Sequence, residues 1–341
     1  MIIRSMAPLR IGLAGGGTDV SPYSDLYGGA ILNATINMYA YATIIPKTDG
    51  QVCFHSIDKN ESDTVPAGHQ IELDGKLDLL KGIYNRIVSQ YTKKPLSFEL
   101  TTYVDAPPGS GLGSSSTLVT AVVGAFTEWL NLPMGEYDIA RLAYEIERID
   151  LNYAGGKQDQ YAATFGGFNF MEFYAGEKVI VNPLRIKEQT LKELAYSMVL
   201  YYTGTSRVSS EIIEKQQQSI KNNATESVNA MHRTKEMAIL MKEALLKNEL
   251  DKIGEIMNTG WMFKKQMAQG ISNPYIEELY RAAKQAGATG GKISGAGGGG
   301  FMFFYCPGNS RYDVISKLQT YGGSVRSFQF TKSGLSSWTI K

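Results

Sequence analysis

Cysteine and histidine are scarce in this chain of 341 residues, and their scarcity excludes two classes of site. The two cysteines, Cys53 and Cys306, lie far apart and outside any Cys-x-x-Cys pattern. A disulfide framework is therefore excluded, and a reducing compartment is favoured. The three histidines, His55, His69 and His232, are widely spaced and match no metal-binding motif, so a histidine-rich metal site is not expected.

An excess of charge of one sign is also absent. The chain has 34 Lys and Arg against 33 Asp and Glu, which gives a formal net charge of +1. Without a basic excess, we expect no nucleic-acid partner. A local basic pocket for a phosphorylated small molecule is compatible with this balance.

No long hydrophobic run occurs either. The most apolar stretch, 118–130, is interrupted by Thr120, Thr127 and Glu128, so it is too short and too polar to span a bilayer. The first ten residues carry Arg4 and Arg10 and do not resemble a targeting segment. We therefore expect a cytoplasmic protein without a membrane partner, and the sequence leaves open whether it forms a homo-oligomer.

The chain does have enough apolar sequence for two cores. Hydrophobic residues make up 43% of it and charged residues 20%, and single cores usually stop growing at about 250–300 residues. The pattern is rich in β-formers over 1–60, mixed to 202, helical over 206–286 and β–α–β from Gly290. This organisation predicts an α+β fold with one domain at 1–188 and a second at 189–341.

Hydrophobic periodicity places individual elements along the chain. The predicted helices are Asp78–Tyr91, Ser114–Leu130, Glu136–Leu151, one that begins at Asn273-Pro274 and ends at Gly287, and one over Arg311–Leu318. The predicted strands beyond residue 60 are Leu96–Val104, Phe165–Glu172, Lys178–Asn182, Tyr196–Tyr202, Phe301–Tyr305 and Ser324–Phe330.

Glycine is the compositional outlier, with 36 residues, many of them in three clusters. The strongest cluster is Pro107–Ser116, which reads Pro-Pro-Gly-Ser-Gly-Leu-Gly-Ser-Ser-Ser between a predicted strand and a predicted helix. Glycines allow the main chain to approach a ligand closely, and the free N–H groups at a helix start attract an anion. The alternative is a capped strand-to-helix turn that holds no ligand.

Two familiar nucleotide motifs do not fit this cluster. No lysine follows the glycines, as the GxxxxGK[ST] motif requires. The spacing is GxGxG where a dinucleotide fingerprint has GxGxxG, and the acid that follows, Glu128, lies inside the predicted helix. Hydride chemistry is therefore disfavoured.

The other two clusters adjoin side chains that can do chemistry. Arg10–Asp19 runs from a strand into three glycines and then into Thr18 and Asp19. A carboxylate there can accept hydrogen bonds from vicinal sugar hydroxyls, and Arg10 can lie near a phosphate. Lys292–Phe301 holds four consecutive glycines, which are costly unless another group comes close. A hairpin loop and a mobile loop are the respective alternatives.

Two acids follow the first helix after the strongest glycine cluster. Asp159 is a candidate general base toward a hydroxyl, and Glu147 is a candidate Mg²⁺ ligand. For each of them, a helix cap or a surface salt bridge is the alternative.

The order of the three clusters resembles that of the GHMP kinase superfamily (galacto-, homoserine, mevalonate and phosphomevalonate kinases). The family motif P-x-x-x-G-L-G-S-S-A is similar to Pro107–Ser116, with Ser116 in place of the usual alanine. The resemblance extends from residue 9 to beyond residue 300. It implies an N-terminal mixed α/β domain with a left-handed crossover, a C-terminal ferredoxin-like domain, and ATP and substrate bound in the cleft between them.

The resemblance also implies roles for particular residues. Asp159 is implied as the catalytic aspartate and Arg10 as the basic residue that faces it, and Ser115 and Glu147 as the Mg²⁺ ligands. The implied ATP contacts are Pro107, Gly109, Ser110, Gly111, Leu112, Gly113, Ser114 and Ser115. The expected substrate contacts are Gly16, Gly17, Thr18, Asp19, Gly297 and Gly298, with Lys157 and Arg207 as candidates to meet a phosphate of the substrate.

The first cluster narrows the substrate class. Gly-Gly-Gly-Thr-Asp at 15–19 departs from the Gly-Glu-His of galactokinases and is similar to D-glycero-D-manno-heptose 7-phosphate kinases and the related L-fucose kinase domains. The resemblance implies transfer of the ATP γ-phosphoryl group to the anomeric O1 of the heptose 7-phosphate, which gives a 1,7-bisphosphate for nucleotide-heptose synthesis. An L-fucose or other sugar 1-kinase and a non-catalytic sugar- and ATP-sensing protein stay as alternatives.

Overall fold

The computed structural model describes residues 1–176, 178–205, 209–222 and 224–341. Its larger sheet has eight strands in the order β12-β1-β2-β5-β3-β4, and β6 and β7 extend it from β2. The strands of this sheet are β1 Ile2–Ala14, β2 Gly29–Pro46, β3 Gln51–Ser56, β4 Glu61–Pro66, β5 Phe98–Val104, β6 Phe168–Phe173, β7 Val179–Pro183 and β12 Ser336–Ile340.

The long second strand pairs with β1 along one edge and with two different strands along the other. Residues 29–34 of β2 pair with β6, whereas residues 40–46 pair with β5, and both pairings are antiparallel. The parallel pair β3 and β5 needs a crossover, and β4 and a helix at Asp78–Ile87 lie in that connection. The strand formers that are dense in residues 1–60 are therefore buried in the centre of this sheet.

The smaller sheet consists of β8 Met198–Tyr202, β9 Gly290–Ile293, β10 Phe301–Tyr305 and β11 Ser324–Arg326. Its order is β11-β8-β10-β9, and its pairs are antiparallel. Helices separate β8 from β9 and β10 from β11, so the β–α–β–β–α–β order matches a ferredoxin-like arrangement. The division at residue 188 stays a prediction, and the last strand, β12, pairs with β1 in the larger sheet.

Helices cover both sheets. Within the described residues they are α1 Tyr23–Tyr27, α2 Asp78–Ile87, α3 Ser114–Leu130, α4 Glu136–Glu145, α5 Gln158–Phe165, α6 Glu188–Ser197, α7 Ser209–Lys221, α8 Thr225–Lys247, α9 Asp251–Met267, α10 Pro274–Gln285 and α11 Ser310–Gln319. No helix of the described chain is long and apolar enough to cross a membrane.

The most apolar helix, α3, begins and ends at the residues that the sequence predicts. Every residue from Ser116 to Phe126 is buried, because this helix is covered on all sides by β1, β2, α4 and α5. Phe126 and Trp129 also pack against Phe98 of β5. The burial of α3 fixes the position of its first turn, which begins at Ser114.

The sequence-predicted bounds differ from the structure at several element ends. The predicted helix Glu136–Leu151 is α-helical only to Glu145 and continues as a π-helical turn over Ile146–Asp150. Phe165 belongs to α5 and not to the following strand, and α6 ends at Ser197, so β8 starts at Met198. Side-chain periodicity near an element end is compatible with either state, so tertiary packing decides these bounds.

Candidate active site

The three glycine clusters meet at one end of α3. The main-chain N–H of Arg10 donates to Leu112 O at 3.1 Å, and the Ser294 hydroxyl donates to Gly111 O at 2.8 Å. The N–H of Phe301 donates to Ser110 O at 2.8 Å. The loops that follow β1, β5 and β9 therefore form one continuous structure, although they are far apart in the sequence.

Glycine is required where two of these loops touch. Gly111 has φ +81°, and a Cβ on it would lie 2.5 Å from Ser294 O. Gly113 has φ +79°, and a Cβ there would lie 3.1 Å from the Cγ of Asp159. A larger residue at either position would be strained in this left-handed conformation, and at Gly111 it would also collide with the facing loop. The close approach brings the start of α3 beside the Asp159 carboxylate.

A cleft of about 780 Å³ opens in front of these loops. Its walls come from the glycine loops, the first turn of α3, the π-helical turn, the loop before α5, and helices α7 and α9. The polar lining includes Arg10, Asp19, Ser114, Ser115, Glu147, Gln158, Asp159 and Lys264. The N–H groups in the first turn of α3 have no partner within the helix, so they can hold an anion that enters the cleft.

Asp159 and Arg10 form a close ion pair at the bottom of the cleft. The Nε and Nη2 atoms of Arg10 lie 2.7 Å and 2.6 Å from Asp159 Oδ1. Arg10 Nη1 also donates to Gly111 O at 2.7 Å, and Arg10 lies beside a register shift of β1. Such bulges turn side chains toward functional sites. The structure thus brings together the two residues that the sequence resemblance pairs.

Glu147 lies in the π-helical turn and faces the first turn of α3. Ser115 Oγ donates to Glu147 Oε1 at 2.9 Å, and Gln160 Nε2 donates to Glu147 Oε2 at 2.6 Å. Arg148 Nη2 and Gln160 Nε2 both donate to Ser116 Oγ, at 3.3 Å and 3.1 Å. π-helical turns often occur at functional sites. The π-helical turn that directs Glu147 toward α3 is therefore consistent with a functional role for this carboxylate.

Asp19 is almost fully buried at the other side of the cleft. Its Oδ2 accepts the main-chain N–H of Gln158 at 3.0 Å, whereas Oδ1 has no hydrogen-bond partner among the described residues. Burial is the largest cause that raises the pKa of Asp19, and the nearby Asp159 adds to this effect. An acceptor oxygen without a partner in a cleft can receive a ligand hydroxyl.

Comparison with known proteins agrees with this arrangement of motifs. The chain matches the model of the GHMP kinases N terminal domain at residues 78–167 and that of the GHMP kinases C terminal at 241–323. It is 51% identical to D-glycero-alpha-D-manno-heptose 7-phosphate kinase from Campylobacter jejuni over 338 residues, with 99% of both chains covered. The chain belongs to the GHMP kinase family. The fold class predicted from the sequence is thereby confirmed.

Two solved structures resemble this GHMP kinase over nearly its whole length. A crystal structure named as D-glycero-D-manno-heptose 1-phosphate kinase from Bacteroides thetaiotaomicron has a TM-score of 0.84 at 46% identity and covers 99% of both chains. A putative sugar kinase from Campylobacter jejuni has a TM-score of 0.82 at 50% identity, with 99% of this chain and 98% of that one covered.

Several predicted substrate contacts of this GHMP kinase are not among the cleft-lining residues. Thr18 is buried, and its hydroxyl donates to Gly15 O at 2.8 Å, so it holds the first glycine loop together. Lys157 Nζ lies 3.9 Å from Asp25 Oδ1 and 5.6 Å from the Tyr144 ring centroid. Arg207 lies outside the described residues, so its predicted role stays a prediction.

Gly297 and Gly298 of the third glycine cluster do not line the cleft and pack against Ile271. A Cβ on Gly297 would meet Ile271 at 2.6 Å, and the N–H of Gly298 donates to Ile271 O at 2.9 Å. Only some of the predicted ATP contacts line the cleft. Those that do are Gly109, Gly111, Gly113, Ser114 and Ser115, whereas Pro107, Ser110 and Leu112 do not. The contact roles of all these residues stay predictions.

Two lysines next to the cleft were missed by sequence reasoning. Lys264 of α9 lines the cleft, and Lys292 of β9 lies behind the first glycine loop. Burial lowers the pKa of Lys264 to about 8, and burial together with the charge on Lys264 lowers that of Lys292. Lys292 opens the third cluster, but Lys264 stands in a helical stretch rich in lysine, where nothing in the pattern distinguishes it.

Proposed function

We propose that this protein is an ATP-dependent kinase that phosphorylates the anomeric O1 of a heptose phosphate. The substrate we favour is D-glycero-D-manno-heptose 7-phosphate, which would give the 1,7-bisphosphate. The observation that carries this proposal is the Asp159–Arg10 pair, with Nε to Oδ1 at 2.7 Å, in a cleft where the glycine loop and the start of α3 lie beside the Asp159 carboxylate. The 51% identity to a heptose 7-phosphate kinase over 338 residues supports the choice of substrate.

The nucleotide would bind on the side of the cleft formed by residues 109–116. Main-chain amides of Gly109–Gly113 and the first turn of α3 would hold the phosphates of ATP, because these donors and the helix dipole favour negative charge. Phosphoryl transfer depends mainly on positioning and on stabilising charge. The hydrogen bond from the Arg10 N–H to Leu112 O joins the first two glycine clusters and helps to position the groups around the transferred phosphoryl.

The acceptor sugar would bind between Asp19 and Asp159. The O1 hydroxyl gives its proton to the Asp159 carboxylate as the bond from O1 to the γ-phosphorus forms. The bond from that phosphorus to the β,γ-bridging oxygen breaks, and ADP leaves with the electron pair. Arg10 keeps Asp159 in place and stabilises negative charge on the phosphoryl oxygens.

The residues around Glu147 fit a Mg²⁺ ion that accompanies ATP. Ser115 Oγ and Glu147 Oε1 lie 2.9 Å apart, and hydroxyl and carboxylate oxygens are ligands that Mg²⁺ prefers. When bound, the ion would neutralise charge on the ATP phosphates. Gln160 would keep the carboxylate oriented through its 2.6 Å hydrogen bond to Glu147 Oε2.

A substrate panel tests the proposal. Purified protein, ATP and MgCl₂ are incubated with D-glycero-D-manno-heptose 7-phosphate, the unphosphorylated heptose, L-fucose and mannose 6-phosphate, and ADP release is followed. Mass spectrometry and ³¹P NMR then identify the product and the phosphorylated oxygen. A preference for the heptose 7-phosphate with a new anomeric phosphate supports the proposal. A preference for L-fucose would reject the substrate, and no ADP release with any sugar would favour a non-catalytic sensor.

A further inference from the structure

Two lysines from separate elements lie next to the first glycine loop. A Cβ built on Gly16 would be 3.6 Å from Lys264 Nζ and 4.0 Å from Lys292 Nζ. Both lysines are only 5% exposed. Their ammonium groups therefore lie near the same point, on the side of the cleft that also holds Asp19.

No described carboxylate contacts either lysine, and Asp19 and Asp159 act on the charge of Lys264 only from beyond ion-pair distance. The ion pairs between described side chains include neither Lys264 nor Lys292. Lys264 Nζ donates to Gly295 O at 2.5 Å, and Lys292 Nζ lies 5.9 Å from the Phe303 ring centroid. Buried cations that no carboxylate contacts are unfavourable, so this arrangement favours an anion bound directly to them.

The position of Lys264 places that anion on the acceptor side. Lys264 lines the cleft beside Gly16, whereas Ser115 and Glu147 bond to each other at the start of α3, where the proposed function places the nucleotide. Gln216 of α7 closes this end of the cleft, and its Nε2 donates to Gly17 O at 2.8 Å. A ligand anion at Lys264 would therefore belong to the sugar that occupies the Asp19 side.

We propose that Lys264 determines specificity by binding the phosphate monoester carried by the sugar substrate, with Lys292 as a second positive charge behind the loop. This inference rests on the proposed function and adds to it the contact that recognises a phosphorylated sugar. Lys157, the other described candidate, faces Asp25 and Tyr144 instead. A phosphate dianion would supply a counter-charge in direct contact with Lys264, which no described carboxylate provides, and charge-assisted hydrogen bonds to it are strong.

The test compares Lys264→Met with Lys265→Met on two substrates. Lys265 is the matched control, because it is the next residue of α9 and pairs with Glu277 at 3.0 Å on the outside of the cleft. For Lys264→Met we expect kcat/KM with D-glycero-D-manno-heptose 7-phosphate to fall by about 10- to 100-fold, mainly through KM. Turnover of the unphosphorylated heptose should stay near the wild-type value, and Lys265→Met should change neither.

Other outcomes would overturn the inference. An equal loss with both substrates would place Lys264 on the transferred phosphoryl group, and no loss would remove it from recognition altogether. The affinity for the heptose 7-phosphate, measured by calorimetry without ATP, distinguishes failure of the phosphate contact from failure of the proposed function. Binding that requires Lys264 but leads to no turnover would reject the kinase reaction and retain the phosphate contact; binding that is unchanged in Lys264→Met would reject the contact.

Thermal unfolding distinguishes ligand recognition from a structural role. If Lys264 only supports the fold through Gly295, Lys264→Met should melt at a lower temperature than wild type. We expect an unchanged or higher melting temperature, because the substitution removes a buried charge beside Lys292 and Arg10. Added heptose 7-phosphate should raise the melting temperature of the wild type and of Lys265→Met but not that of Lys264→Met.

Discussion

The two sides of the cleft satisfy their polar groups in opposite ways. On the nucleotide side, Ser115, Glu147 and Gln160 bond to one another, at 2.9 Å and 2.6 Å. On the proposed acceptor side, Asp19 Oδ1 has no partner among the described residues, and Lys264 is buried with no described carboxylate in contact. The Glu147 carboxylate therefore has partners for both of its oxygens without a ligand, whereas the Asp19 carboxylate does not.

This difference follows from what each side has to recognise. A nucleotide phosphate can be held by main-chain amides that the glycine loop and α3 position during folding. A particular sugar phosphate must be recognised by side chains, and buried polar groups without partners penalise every ligand that fails to match them. We therefore expect changes on the two sides to affect different kinetic constants.

The largest effect is expected from Asp159→Asn, which removes the proton acceptor between the two sides. kcat should fall by about 10²- to 10⁴-fold, because an amide cannot take the proton of the sugar hydroxyl. Steady-state rates and nucleotide binding should be measured in parallel, and the affinity for ATP should stay close to wild type. Asp313→Asn, on the exposed surface of α11, is the control. Full activity in Asp159→Asn would remove Asp159 from the reaction.

The next largest effect is expected on Mg²⁺ binding at the proposed nucleotide side. Glu147→Gln should weaken the apparent Mg²⁺ affinity by about 10- to 100-fold, because a carboxylate ligand is replaced by a neutral amide. Initial rates measured across a MgCl₂ series should show this shift, while the KM for the sugar at saturating Mg²⁺ stays constant. Glu136→Gln, an exposed position at the start of α4, is the comparison. An unchanged Mg²⁺ dependence would contradict the assignment of Glu147.

Asp19→Asn tests the acceptor side. The KM for the sugar should rise by about tenfold or more, because a charged acceptor for sugar hydroxyls is lost, and the Mg²⁺ dependence should not change. Asparagine can still accept the N–H of Gln158, which donates to Asp19 Oδ2 at 3.0 Å in the structure. A raised KM for ATP with an unchanged KM for the sugar would show that the two sides have been assigned in reverse.

For Asp19→Asn we also expect the free energy of unfolding, relative to wild type, to depend on pH. The folded protein raises the pKa of Asp19 above its ordinary value of 3.8, mainly through burial. The contribution of Asp19 to stability is therefore present at low pH and is lost as pH rises through the folded pKa. Asp19→Asn does not titrate, so its advantage in free energy of unfolding over wild type should grow from pH 4 to pH 7. A constant difference across this range would contradict the raised pKa.

A separate effect, on stability and not on a kinetic constant, is expected at the contact that joins the glycine loops. Gly111→Ala should destabilise the protein by about 2–4 kcal/mol, because it combines left-handed strain with a Cβ that would lie 2.5 Å from Ser294 O. Gly50→Ala is the matched control, since Gly50 also has a positive φ, +74°, but no atom within 4 Å of the added Cβ. Chemical denaturation should give a clearly smaller loss for Gly50→Ala. Equal losses would show that backbone strain, and not the contact between loops, sets the cost.

The sequence predicted the bounds of α3 better than the positions of the charged side chains around the cleft. The bounds of α3 and the glycine motif that precedes it follow from local rules, because glycine conformations and apolar periodicity act over a few residues. The π-helical turn at Glu147 was read as ordinary helix, since an insertion of this kind leaves no clear mark in the periodicity. Lys157 was taken as a phosphate contact because it neighbours Asp159 in sequence, and its side chain lies toward Asp25.

The sequence by itself determined the glycine-rich loop, the helix that follows it and the family to which the chain belongs, because these depend on short motifs in a set order. Only the tertiary structure decided which charges share a cleft. Lys264 and Lys292 lie 28 residues apart in the chain, and their ammonium groups come together near Gly16 only because α9 and β9 pack against the first glycine loop. Burial then gives these lysines properties that an exposed lysine does not have, and burial is decided by the packing of distant segments.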